Sequence, residues 1–280
     1  MLGRFFSTII LWSTIFVTLY LFGVSGGFFL LVLSSVATQA ELYILLRKMG
    51  YRPLELIGLI VGLAMLIIPR VAVNPYSCFE VVISCQVISV VGVLLYIVIY
   101  GTPSWIQEVF IPTILGVVYV PLMFSLPVVF IRYIEFICGS GVPALYMIVW
   151  IVIVAKSSDM GGLIVGSLIG GQKMSPDFSP NKTVGGLVGA ILFSVILGAV
   201  TQPIIVSKFE MFSMKLALII SVLLAVVSVV GDLAESAMKR LANVKDSGGT
   251  VPGIGGVFDL TDSVILTLPM GILLVNWLIL

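Results

Sequence analysis

The sequence predicts an all-α polytopic integral membrane protein with about nine transmembrane helices and a cytoplasm-facing polar site in its C-terminal half. Three observations carry this: of 280 residues 60% are hydrophobic, only 10% are charged, and mean hydropathy is +1.26. A soluble domain of this length has no way to hide so much apolar surface, and charge this sparse excludes a disordered chain. Fourteen Lys and Arg against thirteen Asp and Glu leave a net charge of +1. No concentrated basic face marks a nucleic-acid partner.

A bilayer crossing takes about 20 mostly apolar residues. Residues 5–22 form the first such run behind a lone Arg4; no A-x-A cleavage signal follows, so they read as a retained span. Later runs cover 26–46, 54–69, 79–100, 110–130, 142–155, 185–206, 214–230 and 264–280. Pro112, Pro121 and Pro127 predict a bent fifth span, and the sixth is short unless its helix continues through Asp159. If each run crosses once, ten of the fourteen basic residues fall on one side, which the positive-inside rule makes the cytoplasm. The segments 156–183 and 231–262 then share that side. Gly58 with Gly62, the series Gly162, Gly166, Gly170, and Gly185 with Gly189 repeat every four residues, the spacing of closely packed membrane helices.

Absences narrow the chemistry. There is no histidine, hence no Ser-His-Asp triad and no imidazole metal ligand. Cys78, Cys85 and Cys138 form no CxxC pair and read as small apolar filler.

Charge concentrates in residues 231–262, which hold eight of the twenty-seven charged side chains. On a helix Asp232, Ser236, Lys239 and Asn243 share one stripe, and Asp259 and Asp262, three apart, share another. Asp232 closes an apolar run, where an ionised group is costly without a partner or a function. Asp232, Asp259 and Asp262 together suit a hard, oxygen-seeking ion, Mg²⁺ by default; ion pairs with Lys239, Arg240 and Lys245 are the equal alternative. Between them, SGGTVPGIGG opens a helix with Gly253, Gly255 and Gly256, a recipe for anion binding that also serves as a plain tight turn. The second polar segment places Ser179, Lys182 and Thr183 just before a span, as a phosphate ligand set or an ordinary helix start.

These residues resemble the signature of the CTP-dependent phosphatidate cytidylyltransferases, or CDP-diacylglycerol synthases: S, two residues, KR, four residues, KD, then PGHGG and D-R-x-D. Here it stands as Ser236, Lys239-Arg240, Lys245-Asp246, Pro252-Gly253-Ile254-Gly255-Gly256 and Asp259-Leu260-Thr261-Asp262. Gly231-Asp232-Leu233 resembles the family's G-D-[LF], and SPNKT at 179–183 its S-P-K-K-T; Asp159 falls where the family has an Asp after a Trp-containing helix. The likeness covers 142–280, which it makes the catalytic membrane domain, with 1–141 a scaffold of helices. Ile254 replaces the family's His and Leu260 its Arg.

The resemblance implies that CTP and phosphatidic acid give CDP-diacylglycerol and pyrophosphate at the inner membrane of a cell, in a homodimer among membrane lipids. It assigns Asp232, Asp259 and Asp262 to Mg²⁺, with a second cation such as K⁺. Lys239 would act with these acids in catalysis. Substrate contacts fall to Asp159, Ser179, Lys182, Thr183, Ser236, Arg240, Lys245, Asp246 and the 253–256 backbone. Open alternatives are a CTP-dependent enzyme on an isoprenoid-ether phosphate or a polyprenol, a cation-coupled transporter, and an inactive paralogue.

Overall fold

The computed structural model describes residues 2–279 apart from 73, 75, 76, 211, 252 and 254; side chains are described from residue 9 to 278. Pro252 and Ile254, the second of them the family's His position, lie outside the described residues. The chain forms two compact units, residues 1–139 with 241–261, and residues 140–240 with 262–280.

The first unit holds α1 (Leu2–Lys48), α2 (Glu55–Val71), α3 (Cys78–Tyr100), α4 (Ile111–Val117) and α5 (Met123–Cys138). α1 merges the first two expected spans, interrupted at Gly23, whose φ of 51° and ψ of −126° leave helical space as glycine readily does. α2 runs 17 residues with Pro69 inside. α4 lies between two π-helical turns, Ile106–Phe110 and Val118–Leu122, the second containing Pro121, which has no N–H for the ordinary ladder. The expected fifth span is thus interrupted around Pro112 and Pro121, whereas Pro127 lies inside the continuous α5. Gly58 and Gly62 admit close neighbours: an added Cβ would strike the Tyr43 ring at Gly58 and Pro121 Cγ, at 2.7 Å, at Gly62. Tyr43, fully buried, donates its hydroxyl proton to Thr113 O at 3.0 Å.

The second unit comprises α6 (Val142–Ile169), α7 (Val184–Val206), α8 (Met214–Leu241) and most of α9 (Val257–Ile279). α6 does run through Asp159, for 28 residues. A two-stranded antiparallel hairpin, β1 (Lys173–Ser175) and β2 (Ser179–Thr183), joins it to α7. Of the expected glycines, Gly166, Gly185 and Gly189 stand where α6 and α7 approach closely and Gly162 makes only ordinary contact; Gly161 and Gly186, outside the repeat, are also at the close approach. Gly170 ends α6 at φ +64°, with open space where its own Cβ would stand, and its carbonyl oxygen lies 2.6 Å from where a Cβ at Gly185 would be. Trp150 is fully buried, donates to Gly198 O at 3.1 Å and meets Phe212 edge-on at 4.9 Å.

Seven helices among the described residues are long and apolar enough to cross a membrane. The sequence expects nine because it counts α1 twice and α2 once, and α2 falls short in length. The architecture is an all-α polytopic membrane fold with one short hairpin among the described residues. Among the thiols Cys78 is buried as filler should be, whereas Cys138 is exposed.

Candidate functional site

In the second unit, α8 carries Asp232 and, one turn on, Glu235; α9 supplies Asp262. One carboxylate oxygen from each lies within 4.8 Å of the other two. Glu235 and Asp262 are buried, at 1% and 8% exposure. Three acids so close in apolar surroundings repel, and each is held by a lysine. Lys182 Nζ is 2.7 Å from Asp232, Lys239 Nζ 2.7 Å from Glu235 and Lys156 Nζ 3.5 Å from Asp262. Lys156 also sits 2.9 Å from Asp159 and donates to Ser263 Oγ at 2.8 Å. Ser263 and Ser228 donate to the two oxygens of Asp159, at 2.9 and 3.3 Å. The oxygen donors suit a hard divalent cation, and ammonium groups hold them meanwhile.

Beside this cluster a cavity of about 240 Å³ is lined by Asp159, Ser179, Lys182, Thr183, Gly186 and Asp232. Five of these six are residues singled out from two separate polar segments, and the fold brings them to one place. Ser179 and Lys182 come from β2. Thr183 caps α7, its hydroxyl accepting from Gly186 N at 3.1 Å. That satisfies one of the orphan amides at the helix start. Arg240 lies at the exposed end of α8 and donates from Nε to Phe178 O at 3.3 Å. Ser236 is half-buried on α8. Asn243, expected on the same stripe, lies past the helix end at Leu241 with φ 54°.

Asp259 belongs to the first unit, with the glycine-rich loop. It accepts from Gly256 N at 2.7 Å and from Ser247 N and Oγ at 3.0 and 2.9 Å. The Gly256 amide, expected to face a phosphate, is therefore spent inside the loop. Gly255 N closes a turn to Val251 O at 3.1 Å. Gly253 at φ +78° and Gly255 at φ +132° adopt backbone that favours glycine. Lys245 and Asp246 are exposed, and Leu260 is half-buried.

The chain matches the cytidylyltransferase family over residues 3–278. It belongs to that family. It is 30% identical over 203 residues to the phosphatidate cytidylyltransferase of Staphylococcus saprophyticus, covering 66% of this chain and 76% of that one. It is also 40% identical over 117 residues to the Bacillus subtilis enzyme of that name and 42% over 119 to the Helicobacter pylori one. Those two matches span 42% of each chain.

For this member of the cytidylyltransferase family, sequence reasoning did not single out Glu235, Lys156, Ser228, Ser263 or Glu41 as site residues. Glu235 carried a signal, three residues after Asp232 on a helix, as did Lys156 three before Asp159. Glu41 and Lys156 are ionisable groups within apolar helices, which by itself marks a residue for attention.

Proposed function

We infer that this protein transfers the cytidylyl group of CTP to phosphatidic acid, releasing pyrophosphate and leaving CDP-diacylglycerol in the membrane for phospholipid synthesis. It is a nucleotidyltransferase. The observation that carries this reading is the convergence of Asp232, Glu235 and Asp262 with Lys156, Lys182 and Lys239, in a chain with the family's motif order.

A phosphate oxygen of the lipid attacks the α-phosphorus of CTP. The bond from that phosphorus to the bridging oxygen breaks, and its electron pair leaves with pyrophosphate. Lipid phosphate is already ionised near neutral pH, so a strong base is unnecessary and a chain without histidine can do this work. The barrier lies in bringing two anions together and stabilising the leaving group. Asp232 and Asp262 would hold Mg²⁺ with Glu235, and Asp259 is proposed with them; K⁺ is the proposed second cation. Bound there, Mg²⁺ supplies charge neutralisation for the phosphates. Lys182, Ser179 and the cavity around them bind a phosphate group, and Ser236, Lys239, Arg240 and Lys245 neutralise further anionic charge.

The same reading has nine crossings, counting α1 as two segments about Gly23 and α2 as one, with the site on the cytoplasmic side where ten basic residues fall. Acyl chains then stay in the bilayer while CTP arrives from water. The proposed assembly is a homodimer.

The test is detergent-purified protein with radiolabelled CTP, phosphatidic acid and Mg²⁺, following lipid-extractable label. Label that needs both substrates and vanishes with a chelator is expected. Label only on an isoprenoid or polyprenol acceptor would move the substrate to another lipid. Folded protein giving no label with any acceptor would overturn the reading.

A further inference from the structure

Glu41 lies in α1, 5% exposed, in a helix whose other charged residues, Arg4, Arg47 and Lys48, lie near its ends, and is absent from the signature motifs. Its carboxylate is nevertheless the hub of the glycine-rich loop. Oε1 accepts from Thr250 Oγ1 and from Val257 N at 3.0 Å; Oε2 accepts from Phe258 N at 2.8 Å and lies 3.1 Å from Ser247 Oγ. Val257 and Phe258 open α9, so Glu41 takes the place at that helix start where an anionic ligand would otherwise sit. One residue earlier, Asp259 takes the Gly256 amide.

The glycines carry a second, independent mark of the same role. A Cβ at Gly248 would stand 2.7 Å from Glu41 Oε1, and one at Gly256 would strike both Glu41 Oε2 and Ser247 Oγ. These two glycines are needed for the approach of Glu41. A further tie comes from the same helix face one turn back, where Thr38 and Thr261 hydroxyls meet at 2.8 Å. Ser247 is fully buried at the hub while Lys245 and Asp246 beside it are exposed.

We infer that Glu41 is a positioning residue, which fixes the loop 245–258 so that Lys245 and Asp246 face the substrate in one arrangement. This rests on the cytidylyl-transfer reading. Glu41 touches no reacting atom in it; it acts through the loop. Glutamine is the sharp probe, because one of its two terminal atoms becomes an N–H donor facing either Val257 N or Phe258 N. A hydroxyl can turn to accept, whereas a backbone N–H cannot.

The experiment compares wild type, Glu41→Gln and Thr250→Val by hydrogen exchange without substrate and by turnover with CTP, phosphatidic acid and Mg²⁺. Expected in Glu41→Gln is faster exchange confined to 246–258, and a KM for CTP raised about tenfold with kcat nearly unchanged, as misplacement of a binding group predicts. Thr250→Val, which removes one donor, gives the same pattern more weakly. Exchange at 246–258 unchanged in both variants would overturn the inference, as would loosening of that loop with no change in KM. Wild-type protein that turns over no substrate would count against the function reading, and the exchange comparison would still decide whether Glu41 fixes the loop. If Glu41→Gln does not fold, Thr250→Val alone decides.

Discussion

Lys182, near the end of strand β2, places its ammonium 2.7 Å from the Asp232 carboxylate of α8. A residue offered by the sequence as a phosphate ligand is held by one offered as a metal ligand. The Asp232 side chain is 30% exposed, while the Lys182 ammonium nitrogen is buried against it.

In the proposed reaction, Lys182 and Mg²⁺ draw on the same carboxylate. Lys182→Met therefore lowers the Mg²⁺ concentration for half-maximal turnover, while kcat/KM falls about tenfold with the lost phosphate contact, roughly 1.4 kcal/mol. Titrating Mg²⁺ against turnover checks this. A rise in the Mg²⁺ requirement would mean that the lysine orients Asp232 for the metal and does not compete with it.

The three converging acids should not be equivalent to other carboxylates. Asp232→Asn, Asp262→Asn and Glu235→Gln are each expected to lower turnover by about 10²–10³, the scale of losing one preorganised electrostatic contact at a reacting phosphate. Incorporation of label from CTP into lipid measures it, with thermal unfolding as control. Glu235→Gln that keeps full turnover and loses only stability would reduce Glu235 to a partner of Lys239.

Much of the fold was legible because apolar runs and proline positions act locally. Asp159 could be placed on a continued α6 from span length alone, and Thr183 was legible as a residue at a helix start. The four-residue spacing of Gly162, Gly166 and Gly170, and of Gly185 with Gly189, is likewise a local pattern, whereas the close α6–α7 approach at Gly161 lies outside it. Asn243 shows the limit of periodicity: offsets on a helix carry no information about where the helix stops. The hairpin was missed because strands of three and five residues rich in Lys, Ser and Asn show no alternation. Glu41 was beyond reach for another reason. Its partner Ser247 lies 206 residues away, and glycines at 248 and 256 read as ordinary turn residues until the carboxylate between them is seen.

Thr183 separates stability from substrate binding. Its hydroxyl caps α7, so Thr183→Val should cost about 1 kcal/mol of stability, and Thr183→Ser should retain most of it. Thermal unfolding in detergent reads the difference. KM for CTP is expected to stay unchanged in the serine variant, and a rise there would show that the methyl group touches substrate.

Gly161 and Gly162 are adjacent on α6 and face different constraints. A Cβ at Gly161 would clash with Gly189 O and stand 2.6 Å from Phe193 Cβ, both on α7, where backbone and a large ring cannot yield. At Gly162 the nearest atoms are Gly186 O at 3.6 Å and Ala190 Cβ at 3.8 Å, ordinary contact. Gly161→Ala should therefore destabilise by about 1–3 kcal/mol as overpacking does, and Gly162→Ala should be close to neutral. Parallel thermal unfolding of the two variants checks this. The Gly161 variant should also lose turnover, because α6 and α7 between them carry Asp159 and the Thr183 cap beside the cavity, and a parting of the helices would displace both. Equal melting of the two variants would mean that the α6–α7 contact is looser than these distances state.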